Sequence, residues 1–169
     1  MGVTIHFEGS LPDEGSFTTV LSIARNHAKR YGWKVETIDA PDVLLQRVRG
    51  EHDWDYRGPV RGIALYPHED CDPVRLEFDK DLFVQEFTKT QFAGIDVHRQ
   101  INELLRALAP HFRDLRIEDE GELWDTGDVE LLQTHFSNCE RVLQEHLREN
   151  PSARAKIKLP DGRILDFVE

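Results

Sequence analysis

The sequence predicts an α+β fold, in which a mixed, largely antiparallel β-sheet carries three amphipathic helices. Three long segments repeat apolar residues at the spacing of one helical face, and a larger number of short runs alternate apolar with polar residues. Most of these runs are joined by turns too short for the crossovers that parallel strands require. With 169 residues, 39% of them hydrophobic, the chain is long enough to bury a core without disulfide or metal support, and a single domain over residues 1–169 is expected.

Val3, Ile5 and Phe7 alternate with Thr4, His6 and Glu8 and predict a first strand over residues 3–8. After the turn GSLPDEG, Ser16 is the expected N-cap of a helix whose stripe is Phe17, Val20, Leu21, Ala24, Ala28 and Tyr31, with Gly32 as its stop. WKVETI resumes as a strand, so the chain opens β-α-β. The middle is strand-rich: VLLQRV (43–48), VRGIALY (60–66), VRLEF (74–78) and LFVQEF (82–87), with turn chemistry at Gly50, RGP and HEDCDP. Asp96 is the expected N-cap of the second helix, with Val97, Ile101, Leu104, Leu105, Leu108 and Phe112 on one side. DLRIED reads as a short strand and EGELWDTGD as a loop. Asp128 caps the third helix, whose stripe is Val129, Leu132, Phe136, Cys139, Leu143 and Leu147, and Asn150 and Pro151 end it. In KIKLPDGRILDF, Asp161 and Gly162 mark a hairpin turn, and this hairpin is expected to finish the sheet.

Residues 3–17 and 115–129 align without gaps, Ile5 over Ile117, Gly9 over Gly121 and Gly15 over Gly127. Each copy reads strand, loop, helix start. A pseudo-twofold β-α repeat is the corresponding expectation, with its glycines placed where the loops need positive φ.

The net charge of −11 argues against nucleic acid or an anionic membrane as the main partner, because either would need a basic stripe. A basic protein fits better. The opening MGVTIHFEGS lacks the basic and apolar regions of a signal peptide, its His6 stands where a myristoylation site needs Ser or Thr, and no apolar run approaches the ~20 residues of a membrane span. A cytoplasmic location is expected, with Cys71 and Cys139 as reduced thiols.

Two clusters put His beside carboxylates. In LYPHEDCDP, His68, Asp70, Cys71 and Asp72 are the right ligand types for zinc, but neighbours in one loop cannot all face one ion, and no second Cys/His pair stands at zinc spacing. A solvated acidic turn between GIALY and VRLEF is the favoured reading. The second cluster, EHDWDY, surrounds Trp54 with acids, and about 20 Å of strand separates it from the first, so a shared ion would need one loop to fold back along the sheet. It reads as an aromatic anchor for a basic surface. His135 and Cys139 are four apart on the third helix, but Cys139 lies on the apolar stripe. Thr88, Lys89, Thr90 and Gly94 precede a helix and could hold an anion, although Asp96 would compete for the same amides. No G-x-S-x-G, G-x-G-x-x-G, H-E-x-x-H or Walker A pattern occurs.

These observations favour an acidic, non-enzymatic protein-binding module, of inhibitor, immunity or adaptor type, without a cofactor. Its contact residues are expected to be Asp53, Trp54, Asp55, Tyr56, Glu69, Asp70, Asp72 and Trp124, the last from the acidic loop EDEGELWD. The alternative is a metal-dependent hydrolase with His68, Asp70 and Asp72 as ligands and a bound water as nucleophile.

Overall fold

In the computed structural model, which describes residues 2–168, the chain runs β1 (Thr4–Ser10), α1 (Glu14–Tyr31), β2 (Lys34–Leu45), β3 (Val48–Arg49), β4 (His52–Asp53), β5 (Tyr56–Tyr66), β6 (Val74–Phe78) and β7 (Phe83–Lys89). It continues through α2 (Ile95–Leu108), β8 (Arg116–Asp119), α3 (Leu123–Thr126), α4 (Val129–Glu149), β9 (Arg154–Lys158) and β10 (Ile164–Val168). The fold is α+β, and every paired strand is antiparallel.

The strands divide differently from the single expected sheet. They form two three-stranded sheets, β7-β1-β8 and β2-β5-β6, with the β3-β4 and β9-β10 hairpins apart. VLLQRV is not a separate strand. β2 runs from Lys34 to Leu45, and a register shift between Ala40 and Val43 bends it around Pro41, which cannot donate to a ladder. The last hairpin joins neither three-stranded sheet by a ladder.

Alternation decides which face of β1 is covered. Val3, Ile5 and Phe7 are buried with Val84 of β7, whereas His6 and Glu8 face the other way. α1 and α2 lie on the buried side, α1 through Val20, Ala24 and Ala28 and α2 through Ile101, Leu104, Leu105 and Leu108, all closed against Ile63, Leu65, Leu76 and Phe78. Burying one such side chain fully is worth about 1.5–3 kcal/mol. A smaller cluster, Val3, Leu123, Leu132 and Phe136, fixes the start of α4.

Helix starts obey local hydrogen bonding more closely than stripe periodicity. Asp13, not Ser16, caps α1, accepting from the Ser16 amide at 2.7 Å. Gly94 caps α2 without a side-chain bond, so Asp96 lies inside the first turn. Asp128 caps α4 as expected, accepting from the amides of Glu130 and Leu131. α2 stops at Leu108, where Pro110 turns the chain into a 3-10 turn, and Phe112 is buried beyond it. The expected loop after β8 contains α3.

The aligned segments do meet. β1 and β8 pair antiparallel, and His6 pairs with Glu118, the residue aligned with it. Beyond the strands they diverge, because α1 starts directly after Asp13 while α3 intervenes before α4. Gly127 has the expected positive φ, 66°, but its counterpart Gly15 does not, and neither do Gly9 and Gly121. Both are small because of close approach: a Cβ would come within 2.5 Å of the Asp114 carbonyl at Gly9 and 2.6 Å of Leu132 at Gly121.

Candidate functional site

The outer face of the β7-β1-β8 sheet carries no helix. His6 and Glu8, Gln85 and Phe87, and Arg116 and Glu118 form the floor of a groove of about 1290 Å³. One wall is the end of β2 with the β3-β4 hairpin, and the other is the turn of the last hairpin at Asp161 and Arg163. The exposed face of an antiparallel sheet is normally polar. Here Phe87 is 39%, Leu44 54% and Val48 58% exposed, and all three line the groove.

The first wall is built on Arg47, which is only 4% exposed. Its guanidinium donates to Asp79 at 2.9 Å and to the Phe83 carbonyl at 3.3 Å, and lies 4.9–5.8 Å from the rings of Phe83, Tyr56 and Trp54. Its amide donates to Asp55, and its carbonyl accepts from Trp54. EHDWDY is therefore folded around a buried cation of the same chain: Trp54 and Tyr56 are half-buried against it, while Asp53 and Asp55 stay exposed at the groove. Arg47 escaped the sequence reading because Arg is seldom fully buried unless paired, and its partner lies 32 positions away.

The second wall is held by charge. Arg163 donates to Glu86 at 2.6 Å and to the Phe87 carbonyl at 3.0 Å, stacks 4.0 Å over the Phe87 ring, and stands 3.6 Å from Asp72. Glu86 in turn lies within hydrogen-bonding reach of Glu77 on β6, and burial together with that neighbour pushes the Glu86 carboxyl up to about 7. Glu77 and Glu86 were not singled out in the sequence. Nothing in two isolated strand glutamates announces that their carboxyls meet.

HEDCDP does connect β5 to β6, with His68 and Glu69 exposed as a solvated turn would have them, but its second half is not solvated. Cys71 and Asp72 are 3% and 1% exposed. Asp72 accepts from the Ile164 amide at 2.8 Å and the Lys89 amide at 3.2 Å, Asp70 pairs with Lys156 at 2.5 Å, and the Glu69 carbonyl accepts from Lys158. The basic hairpin that answers this acidic loop belongs to the same chain. Asp72, expected at a partner surface, is interior, and burial raises its carboxyl. His68 takes the Asp70 amide on Nδ1. With these three side chains directed to separate partners, they do not form a ligand set, and among the described residues no three His, Cys, Asp or Glu side chains group as a metal site. Burial, reinforced by Asp72, pushes the Cys71 thiol far up, opposite to what a reactive thiolate needs.

Trp124 is half-buried beneath the Arg106 guanidinium, 4.1 Å from its ring. Its amide donates to Asp119. Asp119 also faces His98 at 3.0 Å, and His98 lies 2.8 Å from Thr90 through its other nitrogen. Thr90, His98 and Asp119 resemble a catalytic triad in composition, but Thr90 and His98 are 0% exposed and Thr90 donates to the Val3 carbonyl. The network braces α2 against β1 and β8. Thr88 donates to the Pro73 carbonyl and Lys89 pairs with Asp166, so the suspected anion cradle is otherwise engaged. His135 pairs with Glu122 at 2.6 Å, and Cys139 lines a smaller groove of about 630 Å³ along α4. No helix among the described residues is long and apolar enough to cross a membrane.

No protein-family model, curated protein or solved structure matches this chain.

Proposed function

We propose that the chain is an acidic, non-enzymatic protein-binding module, of inhibitor or adaptor type, whose outer-sheet groove takes a basic segment of a partner protein. The observation that carries this reading is the exposure of Leu44, Val48 and Phe87 inside a groove also lined by Glu8, Asp53, Asp55, Glu118 and Asp161. Two of the groove's guanidiniums, Arg47 and Arg163, are already paired with Asp79 and Glu86. The remaining field favours a cation-rich segment with an apolar contact residue. At about 1290 Å³ the groove exceeds the ~300–1,000 Å³ usual for small-molecule pockets, and its open form suits a length of polypeptide.

Selection of displayed peptides on the protein, with counter-selection on Phe87→Asp, tests the reading. Enriched sequences should carry several Lys or Arg around an apolar residue, and their binding should weaken as salt rises. Enrichment without charge bias, or equal capture by the variant, would contradict it.

A further inference from the structure

β6 and β7 are consecutive strands, yet they belong to different sheets. Backbone bonds join them at the two ends of the seam, from the Asp79 amide to the Phe83 carbonyl and from the Asp72 amide to the Lys89 carbonyl, both at 3.0 Å. Across its middle, Glu77 meets Glu86. The charge here does not balance. Glu77, Glu86 and Asp72 are 14%, 11% and 1% exposed at the side chain, and they face two guanidiniums, Arg75 at 3.2 Å from Glu77 and Arg163 at 2.6 Å from Glu86.

Two further cations stand nearby, and each is matched in count by a further carboxylate: Lys34 of β2, 5.5 Å over the Tyr66 ring, by Glu36, and Lys89, which also acts on Asp72, by Asp166. Lys89 of β7 is held by Asp166 of β10 at 2.7 Å. From β5 and β2, Tyr66 and Glu36 stand near Arg75 and Glu77, with the Tyr66 hydroxyl donating to Glu36 at 2.6 Å. From β1 the residue paired with Glu86 is Phe7, which carries no charge. These three carboxyls against two guanidiniums leave one negative charge, and one proton removes it.

Resting on the groove reading, we infer that Glu77 and Glu86 form a proton-operated latch on the groove: a shared proton keeps the seam closed and Arg163 in place as the groove wall, and its loss releases the last hairpin. The mechanism is local. With the proton present, one carboxyl donates to the other and both guanidiniums remain satisfied. Without it, two carboxylates confront each other in a site that water reaches poorly, and separation of the hairpin from the seam lets them hydrate. The Arg75 bond to the Asp161 carbonyl, at 2.7 Å, transmits the change to the hairpin turn.

The test is amide exchange on the protein alone, so its outcome does not depend on whether any peptide binds. The reporter is the Ile164 N–H, which Asp72 holds at 2.8 Å. Its protection factor, already corrected for intrinsic exchange, should fall about tenfold between pH 6 and pH 8. At each pH the Ile164 protection should stay well below that of the Ile5 amide in β1, which separates hairpin release from global unfolding, since global unfolding alone would give both amides the same protection. Glu86→Gln should hold Ile164 protection high and flat, and Glu77→Gln serves the same purpose if the first variant folds poorly. Direct NMR titration of the Glu86 side-chain carboxyl in the unaltered protein gives a second readout. Flat protection in the unaltered protein, the same fall in both variants, or Glu86 titrating in the ordinary glutamate range would overturn the inference.

Discussion

The side chain of Gln85 pairs with the backbone of Val48 as a neighbouring strand would. Its Nε2 donates to the Val48 carbonyl at 2.8 Å, and its Oε1 accepts from the Val48 amide at 2.9 Å. A further Nε2 contact reaches Glu8 at 3.0 Å. One glutamine thereby ties the β3-β4 hairpin to the groove floor. Gln85→Ala is expected to cost about 1 kcal/mol of global stability while markedly speeding protease cleavage near Gly50. Unchanged cleavage would mean that Arg47 alone holds the wall.

Arg47 and Asp79 form the other attachment, with side chains 2% and 7% exposed. Removing one partner leaves a buried charge without its counterion. Asp79→Ala should therefore cost about 3–5 kcal/mol by urea denaturation. Part of the loss comes from the turn, since Asp79 also accepts from the amides of Asp81 and Phe83. The near-ultraviolet circular dichroism of Trp54 should collapse in parallel, because its ring packs 5.3 Å from Phe83 and over the same guanidinium.

Glu86 and Asp119 predict opposite responses to pH. Because Glu86 is raised to about 7, its protonated form contributes stability that is fully present below the ordinary glutamate value near 4.5. That contribution is lost as pH rises through about 7. Relative to Glu86→Gln, the unaltered protein should lose stability between pH 5 and pH 8, by about 2–3 kcal/mol at most. For Asp119, burial pulls the carboxyl up, but the His98 bond and charge and the amides of Trp124 and Gly121 hold it below the usual aspartate range. Its contribution is present above that range and lost as pH falls through the lowered value. The stability gap between the unaltered protein and Asp119→Asn should thus narrow only in strong acid, which denaturation series at pH 7 and pH 3 would show.

Gly62 permits the β5-β6 pairing. A Cβ there would lie 1.7 Å from the Leu76 carbonyl oxygen, and its φ of 151° is one that other residues rarely adopt. Backbone cannot move aside as a flexible side chain can. Gly62→Ala should cost about 3 kcal/mol or prevent folding, measured by thermal unfolding; an unchanged midpoint would contradict the pairing.

Much of the fold was legible because it follows from local chemistry. Asp128 caps its helix as read, Gly32 stops α1 with φ of 71°, and β1 buries the alternate residues that its pattern marks. Errors arose where a local signal had two solutions. Asp13 and Ser16 are both good caps, and the helix takes the earlier one because Asp13 reaches the Ser16 amide. WKVETI and VLLQRV read as two strands, but Pro41 between them is accommodated as a bulge in one. The groove was largely illegible. Its apolar members Leu44, Val48 and Phe87 come from separate runs and meet only through the arrangement of the sheets, and Asp70 and Asp72 of HEDCDP are covered by Lys156 and Arg163, 86 and 91 positions away. Of the expected contact residues, Asp53 and Asp55 line the groove, while Asp72 and Trp124 are held within the chain.

The most direct measurement is an NMR footprint of isotopically labelled protein titrated with a Lys/Arg-rich peptide carrying one aromatic residue, and with an acidic peptide of the same length. Binding through the groove should shift the amides of His6, Gln85, Phe87 and Glu118 with the basic peptide alone, with the shifts diminishing between 50 and 300 mM salt (about a 14 to 6 Å Debye length). Equal shifts with both peptides, or shifts confined to residues outside the groove, would contradict a basic partner docking on this face.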